Sequence, residues 1–355
     1  MVEVARPALE NALANLRQSV KRSTPDPLVG IFKGDTLNLY QEGYLSVWES
    51  VSLGGEVEEK FFAVNGDDFH NVVSRLSADI IDLKMNEKSI TVKGGRSNVR
   101  LQFMDAFNDS IPQEPDGDLV EVPSDFFNSF LVARKFIAKS EHQVNLTCVY
   151  FNKSDSGVYI MATDGTRLFY KEFELDSAYS FDLDVMLPDS CVEPLSKIFS
   201  STGTRVGLNE KGHVIIDTDL GAKALTTSFN GAFPHAQVQP LVKAQGDLLF
   251  RCDKKDFMDS IRLGDNISNG DLITLGSVDG SININFADSR MESDIYLETA
   301  KDISEFDDVT LSSNLLIQCL APLGVDIEVR QQKTGMLWMT TDGSTITLLH
   351  KIAVN

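Results

Sequence analysis

Short alternating runs dominate this chain. Six stretches, DTLNLYQEGYLSVWESVSL, KSITVKGGRSNVRLQF, TCVYFNKSDSGVYIMATDGTRLFYKEFEL, GHVIIDTDLGAKALTTSF, INFADSRMESDIYLET and MLWMTTDGSTITLLHKIAV, are rich in β-branched and aromatic residues at a rough period of two. That spacing puts successive side chains on opposite faces of a strand. Each run is broken by Gly, Asp or Asn, residues that accept a left-handed backbone or form Asx turns, so each predicts a hairpin. Between them the period changes. Segments 6–22, 66–77, 125–141, 188–199, 253–267 and 312–324 carry apolar residues at three-to-four spacing, as in Leu9, Leu13, Leu16 and Val20, and predict amphipathic helices.

The predicted turns recur. Their centres fall at Gly43, Gly95, Gly165, Gly221, Asp288 and Gly343; alternate members step by 122 and 123, or by 126 and 122. Val64, Leu187 and Leu311, each just before a predicted helix, step by 123 and 124. One unit is therefore about 123 residues with two similar halves, repeated three times. The expected fold class is α+β, six copies of strand, helix and further strands in three domains, 1–118, 119–243 and 244–355. Polar stretches Asp105–Asp118 and Asn230–Asp247 are the expected links. MATDGTRL at Met161 and MTTDGSTI at Met339 lie 178 residues apart, close to three half-units, so they mark one hairpin in two copies.

Charge refines this picture. The chain carries −20 overall, yet the six helical segments hold twelve Lys and Arg against eleven Asp and Glu. All the excess acid thus lies outside the helices, which permits a locally basic surface on an acidic protein. No run nears the ~20 apolar residues of a membrane span, and the start lacks an apolar signal core, so a cytoplasmic location is expected. Cys148, Cys191, Cys252 and Cys319 are scattered, without a C-x-x-C pair, and are expected as buried thiols.

Catalytic patterns are missing from the sequence. His70, His142, His213, His235 and His350 form no metal-ligand spacing, and Asp164 and Asp342 have no locally paired carboxylate. GGRSN at Gly94 lacks the G-K-[ST] of a phosphate loop, and no G-x-S-x-G elbow occurs. No metal, cofactor or enzymatic activity is expected.

With ATDGTRL closing the first half of the middle domain, VKGGRSNVRLQF near the end of the first, and LTTSFNGAFPHAQVQPL with its Phe233–Pro234 pair, the chain resembles the bacterial DNA polymerase III beta sliding clamps. The resemblance implies a head-to-tail homodimer, a ring with helices inside and antiparallel sheets outside. It would encircle double-stranded DNA without sequence preference and act as a non-catalytic processivity factor. Weak, screened phosphate contacts suit a ring that slides. Carried over by position, the duplex-facing residues are Arg17, Lys21, Arg22, Arg75, Arg134, Lys135, Lys139, Lys197, Lys254, Lys255 and Arg262.

The resemblance also implies a cleft between domains two and three for polymerase and clamp-loader peptides. Its residues would be Leu146, Thr163, Gly165, Thr166, Arg167, Leu168, Pro234, Val238, Leu348, His350 and Ile352; core packing is the other reading of Leu146, Leu168 and Leu348. At the ring seam, Arg96, Val99, Arg100 and Leu101 would meet Leu263, Ile267, Glu292 and Asp294 of the second copy. Two positions depart from the family: Thr166 replaces its usual His, and HKIAVN replaces its Met-Pro-Met-Arg-Leu ending, as in a clamp of phage, plasmid or outlying bacterial origin. The rivals are a monomeric clamp-fold protein that binds peptides without encircling DNA, and an enzyme using the turn aspartates. A trimer of two-domain subunits is disfavoured by the three units.

Overall fold

The computed structural model describes residues 1–20, 27–104, 113–175, 183–267, 271–287 and 292–352. By its contacts the chain divides into two compact units. The first holds Met1–Asn128, Ser177–Leu183 and Leu187–Ser228; the second holds Ser129–Asp176, Asp184–Met186 and Phe229–Asn355.

The first unit is built on one ten-stranded antiparallel sheet. Its strands are β1 (Val2–Ala5), β2 (Pro27–Glu42), β3 (Ser46–Asn65), β4 (Ile80–Met85), β5 (Ser89–Gly94), β6 (Ser97–Gln102), β7 (Asp118–Glu121), β12 (Thr204–Leu208), β13 (Val214–Thr218) and β14 (Lys223–Thr226). Their order is β6-β5-β4-β1-β3-β14-β13-β12-β7, with β2 also paired to β3. Helices α1 (Arg6–Ser19), α2 (Gly66–Arg75) and α4 (Asp189–Phe199) accompany it. Helix α1 buries the stripe Leu9, Leu13 and Leu16, about 1.5–3 kcal/mol of transfer energy for each fully buried leucine. Asn65 starts α2 by accepting from the Asp68 amide, a cap worth about 1 kcal/mol.

The second unit has two sheets. The larger is made of β8 (Cys148–Lys153), β9 (Gly157–Thr163), β10 (Arg167–Glu174), β11 (Asp184–Pro188), β15 (Asp247–Asp253), β20 (Asp326–Gln331), β21 (Met336–Thr340) and β22 (Thr345–His350), in the order β11-β8-β9-β10-β22-β21-β20-β15. The smaller is β16 (Leu272–Val278), β17 (Ser281–Ala287), β18 (Glu292–Leu297) and β19 (Val309–Ser312), ordered β18-β17-β16-β19. The remaining helices are α3 (Phe126–Ala133), α5 (His235–Lys243), α6 (Lys254–Ile267) and α7 (Ser313–Leu320).

The mixed fold expected from the alternation is present, and all six helical segments contain a helix. Val64, Leu187 and Leu311 are the next-to-last residues of strands that lead into α2, α4 and α7. Three expectations need correction. The segment Asn230–Asp247, expected as a link, contains α5, because Val238 and Val242 at i, i+4 find an apolar sheet face to cover. The segment 125–141 is not one helix: α3 stops at Ala133, a 3-10 turn covers Arg134–Phe136, and Lys139 lies beyond both. There the Lys135 carbonyl accepts from the Arg167 guanidinium at 2.9 Å instead of from a helical amide. Gly43 is not a left-handed turn residue, although Gly95, Gly165, Gly221 and Gly343 have φ of 59°, 88°, 95° and 82°. It is needed for close approach, since a Cβ there would sit 2.3 Å from the Ser19 carbonyl. Asp288 and much of the link Asp105–Asp118 lie outside the described residues.

Candidate functional site

The two Thr-Asp-Gly phrases form adjacent hairpins in the larger sheet of the second unit. β9 and β10 flank the first and β21 and β22 the second, and β10 pairs with β22 through Arg167↔Leu349 and Leu168↔Leu348. Their turns share the aspartate bonds, while the donating threonine sits in the first Thr-Asp-Gly itself but one residue before the second. Thr163 Oγ1 donates to the Arg167 carbonyl and Thr340 Oγ1 to that of Thr345, both at 2.6 Å. Asp164 Oδ1 accepts from the amides of Thr166 and Arg167, and Asp342 Oδ1 from those of Ser344 and Thr345. Burial alone would lift the Asp342 carboxyl; the Thr345 and Ser344 hydrogen bonds outweigh it and hold it below the usual carboxylate range. Both aspartates are therefore turn residues engaged by backbone, a structural rather than catalytic arrangement.

Alternate side chains of this sheet make a second apolar layer. Tyr150, Tyr159, Met161, Leu168, Tyr170, Trp338, Ile346 and Leu348 form one buried cluster with Phe233, Val238 and Val242, and Leu146 packs on its margin. Helix α5 and the Phe233–Pro234 corner are held against it by named contacts. The Phe233 ring stacks on Tyr150 at 4.5 Å, the Tyr159 hydroxyl lies 2.7 Å from His235 Nε2, and Trp338 Nε1 donates to the Val242 carbonyl at 3.0 Å. Burial pushes the Tyr150 hydroxyl up to about 12 and that of Tyr159 higher still.

Four of the eleven predicted cleft residues belong to this cluster or pack on it. Leu168, Leu348 and Val238 are buried in the cluster, Leu146 is half-buried beside it, and Pro234 opens α5. Gly165, Thr166, His350 and Ile352 are exposed; the His350 amide donates to the Thr166 carbonyl at 3.0 Å, which joins the strand end to the first turn. Thr163 is spent in its turn. Arg167 is buried: its Nε and Nη2 lie 2.9 Å from Asp164 Oδ2, its Nη1 reaches Gln318, and the guanidinium sits 5.1 Å from the Phe136 ring centre. Tyr150, Tyr159, His235 and Trp338 were missed by the sequence reading. For Tyr150, Tyr159 and Trp338 the signal was the i, i+2 spacing of large apolar residues in runs that look continuously hydrophobic, the mark of a strand covered on both faces; His235, at the start of α5, carried no such signal.

The basic candidates lie on or beside helices. Arg17, Arg75, Lys135, Lys139, Lys197, Lys255 and Arg262 are exposed, and Arg134 and Lys254 are half-buried. Arg17 pairs with Asp67 at 2.8 Å, Lys197 with Glu193 at 2.6 Å, Lys255 with Asp259 at 2.7 Å and Arg262 with Asp259 at 3.3 Å. The Lys254 ammonium donates to the Leu323 carbonyl. Exposed pairs of this kind are worth about 0–1 kcal/mol, so a phosphate can displace them cheaply. Burial, helped by the Arg17 charge, holds the His70 imidazole below its usual range, leaving the cation to Arg17. Lys21 and Arg22 lie outside the described residues.

Each sheet has two end strands, and in each unit one such edge carries predicted seam residues. In the first unit it is β6, with Arg96, Val99 and Arg100 exposed and Leu101 half-buried. In the second it is β18, with Glu292 and Asp294 exposed; Asn283 and Asn285 donate to Asp294 and hold its carboxyl below the usual range. Leu263 and Ile267 on α6 of the second unit are 53% and 41% exposed. Among the described residues no three His, Cys, Asp or Glu cluster as a metal site, and no helix is long and apolar enough to cross a membrane.

Comparison with known proteins fits this geometry. Residues 121–235 match the family described as DNA polymerase III beta subunit, central domain. The chain superposes on the DNA polymerase III subunit beta of Pseudomonas aeruginosa with a TM-score of 0.86 at 17% identity, covering 100% of both chains. On the Helicobacter pylori beta clamp bound to a DNA ligase peptide the TM-score is 0.81 at 20% identity, covering 99% of this chain and 100% of that one. The fold is thus that of the sliding-clamp class. In sequence the chain is similar to the bacterial beta clamps, 20% identical to the beta sliding clamp of Helicobacter pylori strain J99 over 91% of this chain and 88% of that protein.

Proposed function

We propose that this chain is a sliding clamp, built from three domains at 1–118, 119–243 and 244–355. Two copies close head to tail around duplex DNA, and partner peptides dock in the groove beside α5. The observation that carries the reading, beside the whole-length likeness to beta clamps, is the pair of complementary open edges. β6 offers Arg96 and Arg100 with Val99; β18 offers Glu292 and Asp294, with Leu263 and Ile267 exposed on α6. An unpaired edge invites association with another chain, and two different edges on one chain give a head-to-tail contact that closes when its rotation allows.

In this reading Arg17, Lys21, Arg22, Arg75, Lys197 and the basic residues of the second unit face the duplex. Their contacts are weak because enclosure, not affinity, retains the DNA. The groove takes an extended peptide whose apolar side chains replace part of the cover that α5 and Phe233 give to Leu168 and Leu348. Thr166 and His350, exposed at its mouth, give the groove its own peptide preference. The role needs no bond-making or bond-breaking group.

The test is topological. The protein is loaded by a clamp loader on nicked circular DNA, and the DNA is then linearised. Loss on linearisation supports enclosure; retention on linear DNA means ordinary, non-topological binding, and a monomer in light scattering at micromolar concentration favours a clamp-fold peptide binder instead.

A further inference from the structure

The outer part of strands β2 and β3 in the first unit holds a cavity of about 280 Å³ that the clamp role does not use. Tyr40 and Trp48 line it as a cross-strand pair in register, ring centres 4.8 Å apart. Glu59 and Glu114 also line it, with one cation, Lys33. Glu114 is bridged to Lys223 at 2.6 Å, whereas Glu59 is exposed and has no ion-pair partner among the described residues. Glu56, exposed on the same strand, adds to the negative potential, while Glu58 is paired with Lys60 at 3.2 Å. Trp48 is buried, and its indole Nε1 has no hydrogen-bond acceptor among the described residues.

Size narrows the ligand. Sites that enclose whole small molecules run from about 300 to 1,000 Å³, so this cavity suits one side chain better than a nucleotide. Charge narrows it further. Aromatic faces attract cations, and a planar guanidinium both stacks on a ring and bonds a carboxylate, which a lysine ammonium does less well. We propose that this cavity is a second docking site, taking an arginine side chain from a basic peptide segment of a partner protein. The guanidinium rests against Tyr40 and Trp48 and pairs with Glu59.

The chain's two tryptophans make the test internal: Trp48 lines this cavity, and Trp338 belongs to the groove cluster of the other unit. Their indole N–H signals are followed by NMR in the full chain, assigned with Trp48→Phe. The probe is a capped pentapeptide, acetyl-Gly-Gly-Arg-Gly-Gly-amide, and the control is its neutral citrulline counterpart. The arginine peptide should shift the Trp48 signal saturably and leave Trp338 in place; the citrulline peptide should not. Glu59→Gln should raise the half-saturation concentration roughly two- to fivefold, the range of a single exposed ion pair, and Lys33→Gln should lower it. A shift confined to Trp338, equal responses to the two peptides, or no effect of either substitution would each overturn the proposal.

Discussion

Removing the Arg167 side chain separates a structural from a peptide-contacting role. Its guanidinium is enclosed by Asp164, the Lys135 carbonyl, Gln318 and the Phe136 ring, and its side chain is 7% exposed. Arg167→Ala leaves Asp164 Oδ2 without its cation and the Lys135 carbonyl without its donor. Breaking a buried pair from one side costs about 3–5 kcal/mol. The Asp164 side chain is 21% exposed, and its Oδ1 keeps two amide donors, so the lower end applies, about 3 kcal/mol. That corresponds to about a hundredfold fall in hydrogen-exchange protection for core amides of β9, β10 and β22, read by mass spectrometry or NMR. Arg167→Met, which keeps the stem, should recover the packing share but not the pair, and a cycle with Asp164→Ala should show coupling of about 2 kcal/mol. Protection within threefold of the parent in Arg167→Ala would refute the reasoning. So would loss of peptide binding at unchanged protection, because the guanidinium would then be acting on the peptide.

Three other outcomes follow from named groups. Glu49 is buried beside α1 with Asn15 Nδ2 donating to it at 2.8 Å, and burial pushes its carboxyl up to about 7 despite that bond. The folded state thus holds the proton more tightly than the unfolded chain, so stability of the first unit is full below about pH 4.5 and falls as pH rises to about 7, by on the order of 3 kcal/mol. Glu49→Gln should flatten urea midpoints measured between pH 5 and 8 and raise them at pH 8; an unchanged profile would show that the group does not titrate there. Leu263→Asp with Ile267→Asp should give a monomer in light scattering without altering the far-ultraviolet circular dichroism, whereas a persistent dimer would place the seam elsewhere. Arg75→Gln with Lys197→Gln should reduce the salt slope of DNA binding by about 0.9 for each phosphate no longer neutralised; an unchanged slope would remove those helices from the duplex-facing surface.

Local chemistry made much of this protein legible from the order of its residues. Period-two runs gave the strands, three-to-four spacing gave a helix in every expected segment, and the spacing of Gly165 and Gly343 related two hairpins that the sheet does place as copies of one turn. These features are short-range: a turn needs its Thr, Asp and Gly whatever lies around it, and a helix needs one apolar stripe. Non-local contacts set the rest. Nothing in HAQVQPLVK announces a helix until the outer face of β8, β9, β10, β21 and β22 exists for Val238 and Val242 to cover, because a nine-residue helix is marginal on its own. Arg167 is expected only as a cleft residue, yet a glutamine 151 residues away and a carbonyl 32 residues away enclose it. Gly43 reads as a turn residue, yet the end of α1 leaves no room for a Cβ there. Sequence determined which segments form strands, helices and turns; tertiary packing alone decided which side chains those segments bury together, since distant residues meet only once the chain has closed on itself.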